Sequence, residues 1–215
     1  MKNQLDGNSR ERILTAVRNA QRRTAVVSTS YDKDTIYVKP EQLLPVFKQE
    51  VEAVAGTCYV VVNEEELYQQ LAELVQERGW TYLYTFDKAI QDKLRLYGIA
   101  FRNKEQDFRE MPSAITPCEF LVARTGSVLM SSVPSQGRTL YAFAPVHVVI
   151  ASESQLVEYP EDALHQLRQR YDNQLPSAFG FVTGPSRTAD IEKTLVLGAH
   201  GPKELIIFVL KNKAN

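Results

Sequence analysis

The residues best placed to do chemistry in this 215-residue chain lie near its end. Gly184-Pro185-Ser186-Arg187-Thr188-Ala189-Asp190 leaves a strand-like run, Ala178 to Thr183, and opens a segment with helical character, Ala189 to Leu197. A Gly-Pro pair after a strand makes a sharp turn, and proline suits the first position of a helix. Two hydroxyls, a guanidinium and free backbone N–H groups at a helix start are the chemistry of an anion site. Gly184, Ser186, Arg187, Thr188 and Asp190 are therefore the anion-binding candidates, with Asp190 orienting Arg187. They are expected to face a pocket at the carboxyl edge of a sheet, where open α/β folds bind ligands. The competing reading is structural: a tight turn in which Asp190 favours the helix start and pairs with Arg187 three residues away.

A second turn, Gly198-Ala199-His200-Gly201-Pro202, follows. A loop imidazole backed by glycine and proline is a candidate for catalysis, so His200 is the first residue proposed for that role. The two turns share a site only if residues 184–202 double back. Were they joined by one helix between parallel strands, they would lie at opposite sheet edges. The other histidines read differently. His165 lies on the polar side of a helix, and His147 alternates with apolar neighbours on a strand. No histidine or carboxylate cluster has metal-ligand spacing, so no metal is expected. Cys58 and Cys118 both sit in apolar, strand-like contexts without a CxxC, which reads as reduced, buried thiols and no cysteine-held cluster. GxGxxG and GxxxxGK[ST] are absent. The chain is thus expected to carry no cofactor of its own.

These turns require a scaffold. Charged residues balance at 25 basic and 26 acidic, which argues against a nucleic-acid binder. No apolar run approaches a membrane span and no leader-like stretch opens the chain, so a cytoplasmic protein is expected. Asn8 to Gln21 reads as a helix with an Ile13, Leu14, Val17, Ala20 stripe and an arginine-rich remainder. That remainder is either a solvated face or an arm that docks a partner. Thr24 to Pro40 reads as an extended strap, and Glu41 to Ala53 as a helix.

From residue 57 strands and helices alternate. Thr57 to Val62, Trp80 to Tyr84 and Gly98 to Phe101 read as strands. Between them are helices capped by Asn63 and following Asp87. The spacing predicts a mostly parallel sheet flanked by helices. Ile115 to Met130 contains at least one strand, and Thr139 to Phe143 and Val146 to Ile150 read as two more, which makes the sheet mixed. A helix from Glu161 to Tyr171 and strands Ala178 to Thr183 and Leu205 to Leu210 complete the chain. The expected organisation is an N-terminal helix and strap over 1–50 and a single α/β domain over 51–215.

Several motifs recur in a recognisable order: Thr116-Pro117-Cys118-Glu119, Ala123-Arg124-Thr125-Gly126-Ser127, Gly137-Arg138, Pro145-Val146-His147-Val148, GPSRTADIE from Gly184 and Gly198 to Pro202. This series resembles the LUD-domain family, the lactate-utilization proteins. Ser9-Arg10-Glu11-Arg12-Ile13-Leu14 is similar to the opening helix of its short C-type member. The resemblance implies a fold like the NagB/RpiA/CoA transferase-like superfamily. It also implies a subunit of a system that oxidises L-lactate to pyruvate alongside iron–sulfur partner proteins. It adds Arg124, Thr125, Gly126 and Ser127 to the ligand-binding candidates and Glu119 to the catalytic ones. Arg124 stands where the family often has glutamate. An arginine cannot form an acyl-enzyme, so CoA transfer is disfavoured; Arg124 would add positive charge near a bound anion. Two other functions stay open: a free-standing isomerase, hydrolase or transferase acting on a phosphorylated or CoA-linked small molecule, and a non-catalytic interaction protein.

Overall fold

The computed structural model describes residues 6–23, 38–104, 111–133, 137–188, 196–197 and 201–212. The chain forms two units, residues 1–39 and 40–215. The first contains α1 (Asp6–Arg23), on which Ile13, Leu14 and Val17 are exposed. The strap over 24–37 lies outside the described residues. The second unit begins earlier than the expected boundary at residue 50. Helix α2 (Leu43–Ala53) buries Leu44, Phe47 and Val51 in the core, one helical face at i, i+3 and i+7.

Six strands make one sheet in the order β1-β12-β7-β4-β2-β3, with every pair parallel. They are β1 (Thr57–Val61), β2 (Leu83–Tyr84), β3 (Phe101–Arg102), β4 (Ser113–Thr116), β7 (Val146–Ser152) and β12 (Glu204–Leu210). β12 lies between β1 and β7, and its apolar run is buried on both faces, as a central parallel strand requires. Ile206 and Phe208 pack with Leu67 and Leu71 of α3 (Glu64–Glu77) and Ile90 and Leu94 of α4 (Lys88–Leu96). Leu205, Ile207 and Val209 pack on the opposite face with α2 and the second sheet. Both helix starts are capped as their sequence indicates. Glu66 N donates to Asn63 Oδ1 at 2.8 Å, and Ile90 N donates to Asp87 Oδ1 at 2.9 Å.

A separate four-stranded sheet, β8-β5-β6-β9, pairs β5 with β6 and β6 with β9 antiparallel and β8 with β5 parallel. It comprises β5 (Phe120–Val122), β6 (Ser127–Ser131), β8 (Leu156–Val157) and β9 (Phe179–Thr183). One face joins the α2 core. The other carries Phe120, Val122 and Leu129 against Ala163 and Leu167 of α6 (Pro160–Arg170).

Two local expectations are corrected. Thr139 to Phe143 is not a strand but part of α5 (Arg138–Phe143), which buries Leu140, with Ala144 just beyond its end, beside Tyr84. The segment Ala189 to Leu197 does not end as a helix. Val196–Leu197 is β11, paired antiparallel with β10 (Arg187–Thr188). Among the described residues no helix is long and apolar enough to cross a membrane.

Candidate functional site

Two of the motif turns close on the last turn of α2. Ala123–Thr125 is a 3-10 turn that ends at Gly126, whose φ of +59° lies in the left-handed region. A Cβ there would sit 2.5 Å from Glu50 C and Val51 N. Ser127 starts β6 opposite Thr183, the last residue of β9, so the turn after β9 lies next to the first. There Gly184 has φ +69°, and a Cβ would sit 2.4 Å from Val54 O. Both positions need glycine for two reasons, backbone conformation and helix approach. Hydroxyls stitch the turns together: Thr125 Oγ1 is 2.7 Å from Ser127 Oγ, which is 2.7 Å from Thr183 Oγ1. Arg187 Nη2 donates to Val54 O at 3.2 Å, placing a cation at the carboxyl end of α2, where the helix field favours it.

The chain then doubles back through β10 and β11. Ser186 N donates to Pro202 O at 2.7 Å, and a Cβ on Gly201 would lie 3.0 Å from Ser186 Cβ. The Gly184 turn and the Gly201-Pro202 end of the second turn are therefore neighbours. Thr188 lies in β10; Asp190, Gly198 and His200 lie outside the described residues.

The expected placement at the carboxyl edge is overturned. Pro202 precedes β12, and Lys203 N and Glu204 N donate to Pro145 O just before β7. The Ser186–Pro202 contact thus marks the amino end of the parallel strands. The reason is topological: β9 belongs to the other sheet, so the turn that leaves it does not leave the parallel one.

His147, two residues beyond Pro145, is fully buried, with Nε2 2.8 Å from Thr116 Oγ1 and Nδ1 unpartnered among the described residues. Burial pushes its pKa down to about 3, so the ring is neutral. An orphaned lone pair is more readily tolerated than an orphaned N–H, which favours Nε2–H donating to Thr116.

The remaining candidates lie in other networks. Arg124 Nη2 and Nε donate to Glu158 Oε1 at 2.8 and 3.2 Å, and the guanidinium covers the Tyr159 ring at 5.5 Å. Glu119 is 2% exposed and accepts from Ser131 Oγ, Tyr171 Oη and Arg170 Nη1, each at 2.7 Å. These bonds fasten the second sheet to α6 and the residue beyond it. Burial, then the bond to Glu119, pushes Tyr171 up to about 12. Burial likewise raises the Cys58 thiol to about 11 and raises Cys118, so both stay protonated.

An open cavity of about 780 Å³ lies elsewhere, at the carboxyl ends of β2 and β3. Lys88 and Arg138 line it with Asp87, Asn103, Ser132 and Thr139. Sequence reasoning singled out neither cation as a ligand contact. The available signals were a lysine opening a helix directly after a strand, and the Gly137-Arg138 pair.

The family model described as the LUD domain matches residues 44–210. The chain is 25% identical to Lactate utilization protein C of Geobacillus thermodenitrificans, over 96% of this chain and 82% of that protein. It is 32% identical to Lactate utilization protein C of Bacillus subtilis over a shorter stretch, 46% of this chain and 42% of that protein. The crystal structure of a DUF162 family protein from Deinococcus radiodurans shares the fold, with a TM-score of 0.61 and 15% identity over 78% of this chain and 96% of that one. With the family model spanning the whole body from α2 to β12, the chain belongs to the LUD domain family.

Proposed function

We propose that this chain takes part in the oxidation of L-lactate to pyruvate as one component of a lactate-utilization system. In this reading it holds a small anionic ligand while iron–sulfur partner proteins carry the electrons. The observation that carries the reading is its correspondence with Lactate utilization protein C over nearly its whole length. The cysteines support the division of labour: both thiols are buried and protonated, and no CxxC is present. At the amino edge, the exposed Arg187 commits Nη2 to Val54 O and has further N–H donors for an anion beside Ser186. Thr125, Gly126 and Ser127 hold that turn in place; Asp190 as the partner of the arginine and His200 as the acid–base group belong to the proposal from sequence alone.

Reconstitution tests this. The isolated chain should be colourless and fail to pass electrons from L-lactate to an artificial acceptor. With iron–sulfur partner proteins added, it should be required for L-lactate oxidation. Bound flavin or an iron–sulfur absorption band in the isolated chain would refute the reading, as would full activity of the partners without it. Arg187→Ala should weaken L-lactate or pyruvate binding by about 1.5–3 kcal/mol, the scale of a hydrogen bond to a charged group. Unchanged binding would remove Arg187 from the site.

A further inference from the structure

The four-stranded sheet leaves one long edge open. Its order is β8-β5-β6-β9, so among the described residues β9 pairs on one side only, with β6. Ser132 N donates to Ala178 O at 2.8 Å. Antiparallel alternation then turns the backbone groups of Gly180 and Val182 towards β6 and those of Phe179, Phe181 and Thr183 away from it. None of these outward N–H and C=O groups bonds to a described residue. Edge strands are ordinarily blunted by being short, charged, broken by proline or covered. β8, at the far side of the same sheet, has two residues. β1, an edge of the parallel sheet, is packed on both faces through Cys58 and Val61. β9 uses none of these devices: Ala178 to Thr183 carries no charge and no proline, and Phe179 and Phe181 are 41% and 38% exposed.

The two phenylalanines sit on the face of the sheet that α6 covers further in. Phe181 is opposite Leu129, which is buried with Phe120 and Val122 against Ala163 and Leu167. The apolar layer therefore continues past its helical cover and ends at the open edge. Gly180 stands between the two rings. Its φ is not in the left-handed region, and among the described residues a Cβ there would meet nothing within 4 Å. Neither conformation nor packing within one copy calls for glycine at this position. A glycine inside a strand otherwise marks the close approach of another backbone.

An open edge takes a strand, and Phe179-Gly180-Phe181 reads the same in both directions. A second copy laid antiparallel about Gly180 therefore matches without offset. Phe179 falls opposite Phe181 of the partner subunit, the two-fold axis repeats the pair, and both pairs exchange their outward backbone bonds. Gly180 meets Gly180 of the partner subunit as a non-hydrogen-bonded pair, with Cα atoms about 4.5 Å apart. Cross-strand aromatic pairs stabilise such a ladder. We propose that the chain forms a two-fold dimer through β9, which joins two four-stranded sheets into one. This inference rests on the strand edge and is independent of the lactate reading.

Sedimentation equilibrium of the full chain tests it, over about 1 µM to 1 mM. Wild type should be dimeric in the upper part of that range. Gly180→Lys should be monomeric throughout, because it brings two ammonium groups together at the two-fold axis. Its melting temperature at low concentration should match wild type, since the side chain has room in the single copy. Phe181→Ser should weaken dimerisation about tenfold or more. Gly180→Cys should give a disulfide-linked dimer with oxidised glutathione, because the Cα separation is one that a disulfide spans. Phe143→Cys, 69% exposed but outside β9, is the control, and the native cysteines are buried. A wild-type monomer at about 1 mM would overturn the proposal, including one whose β9 takes a strand from a different protein. So would a dimer that survives Gly180→Lys, or a Gly180→Cys chain that cross-links no faster than Phe143→Cys. Those failures leave the lactate reading standing, because it is tested by reconstitution and at Arg187.

Discussion

The two edges of the parallel sheet are built on opposite plans. The amino-edge region and the α2 clamp carry most of the motif residues, and among the described ones several polar groups are bonded to protein. Gly126 and Gly184 press against the α2 backbone, Ser127 bonds both Thr125 and Thr183, Arg187 bonds Val54 O, and His147 bonds Thr116. The carboxyl edge carries less of the motif pattern, yet holds a large opening and two cations without ion-pair partners among the described residues. The difference separates two meanings of a motif. Glycines and hydroxyls at close spacing can mark how a helix is clamped, whereas ligand chemistry needs charge left over after the fold is satisfied.

The sharpest way to break this contrast is at the clamp. Gly184→Ala should cost about 3 kcal/mol or more in urea unfolding, from a left-handed backbone plus a Cβ driven into Val54 O. Gly79→Ala is the control: φ is +64°, but nothing lies within 4 Å, so the cost should be the backbone component of about 1–2 kcal/mol alone. Equal losses at the two sites would show that α2 does not press on the Gly184 turn.

His147 gives the next largest effect. Its folded pKa of about 3 lies below the ordinary value of 6.5, so folding favours the neutral ring. The stability it contributes is complete above about pH 6.5 and is lost progressively as pH falls towards 3. The slope approaches about 1.4 kcal/mol per pH unit, or about 2 kcal/mol between pH 6.5 and 5. Unfolding midpoints of wild type and His147→Gln, compared from pH 7.5 to 5, isolate this from the carboxylates. Parallel pH profiles would mean that water reaches the ring.

Much of this architecture is legible in the sequence. The helix starts at Asn63 and Asp87 are visible there because a cap is a local device, one side chain bonding an N–H three residues on. The Gly184 turn is legible as a turn but not as the seat of α2, since the contact with Val54 spans well over a hundred residues of sequence.

Arg187→Ala separates the roles of one side chain at a smaller scale. Loss of its bond to an exposed helix end should cost about 0.3–1 kcal/mol of stability, read from the shift in urea midpoint. A larger loss would place Arg187 wholly in the clamp and deny it a ligand role. The smallest effect is expected in the first unit. Removing residues 1–22 should leave the unfolding midpoint of the α/β body unchanged, because its core begins at Leu44. If the arginine-rich helix docks a partner, the same truncation should weaken co-purification with the iron–sulfur proteins. A drop in midpoint would make α1 part of the folding unit.

What the sequence by itself determined are properties that neighbouring residues carry. The run Leu205 to Leu210 has no polar face, so it had to be a strand buried on both sides. Two cysteines in apolar, strand-like contexts had to be buried thiols, although only Cys58 lies in a strand, and a chain alternating strand and helix had to form a parallel sheet. Only the tertiary structure decided which sheet each short strand joins. β9 reads like any other strand, yet its pairing with β6 sends the Gly184 turn to the amino edge and makes 184–202 fold back. Thr139 to Phe143 is too short for a period of two to be told from one of 3.6, and packing of Leu140 beside Tyr84 settles it as helix. Lys88, Asn103 and Arg138 come from distant stretches of chain and meet because three strand ends and a helix start converge. Local propensity contains no term for that convergence, which depends on long-range pairing of strands whose individual preferences are nearly alike.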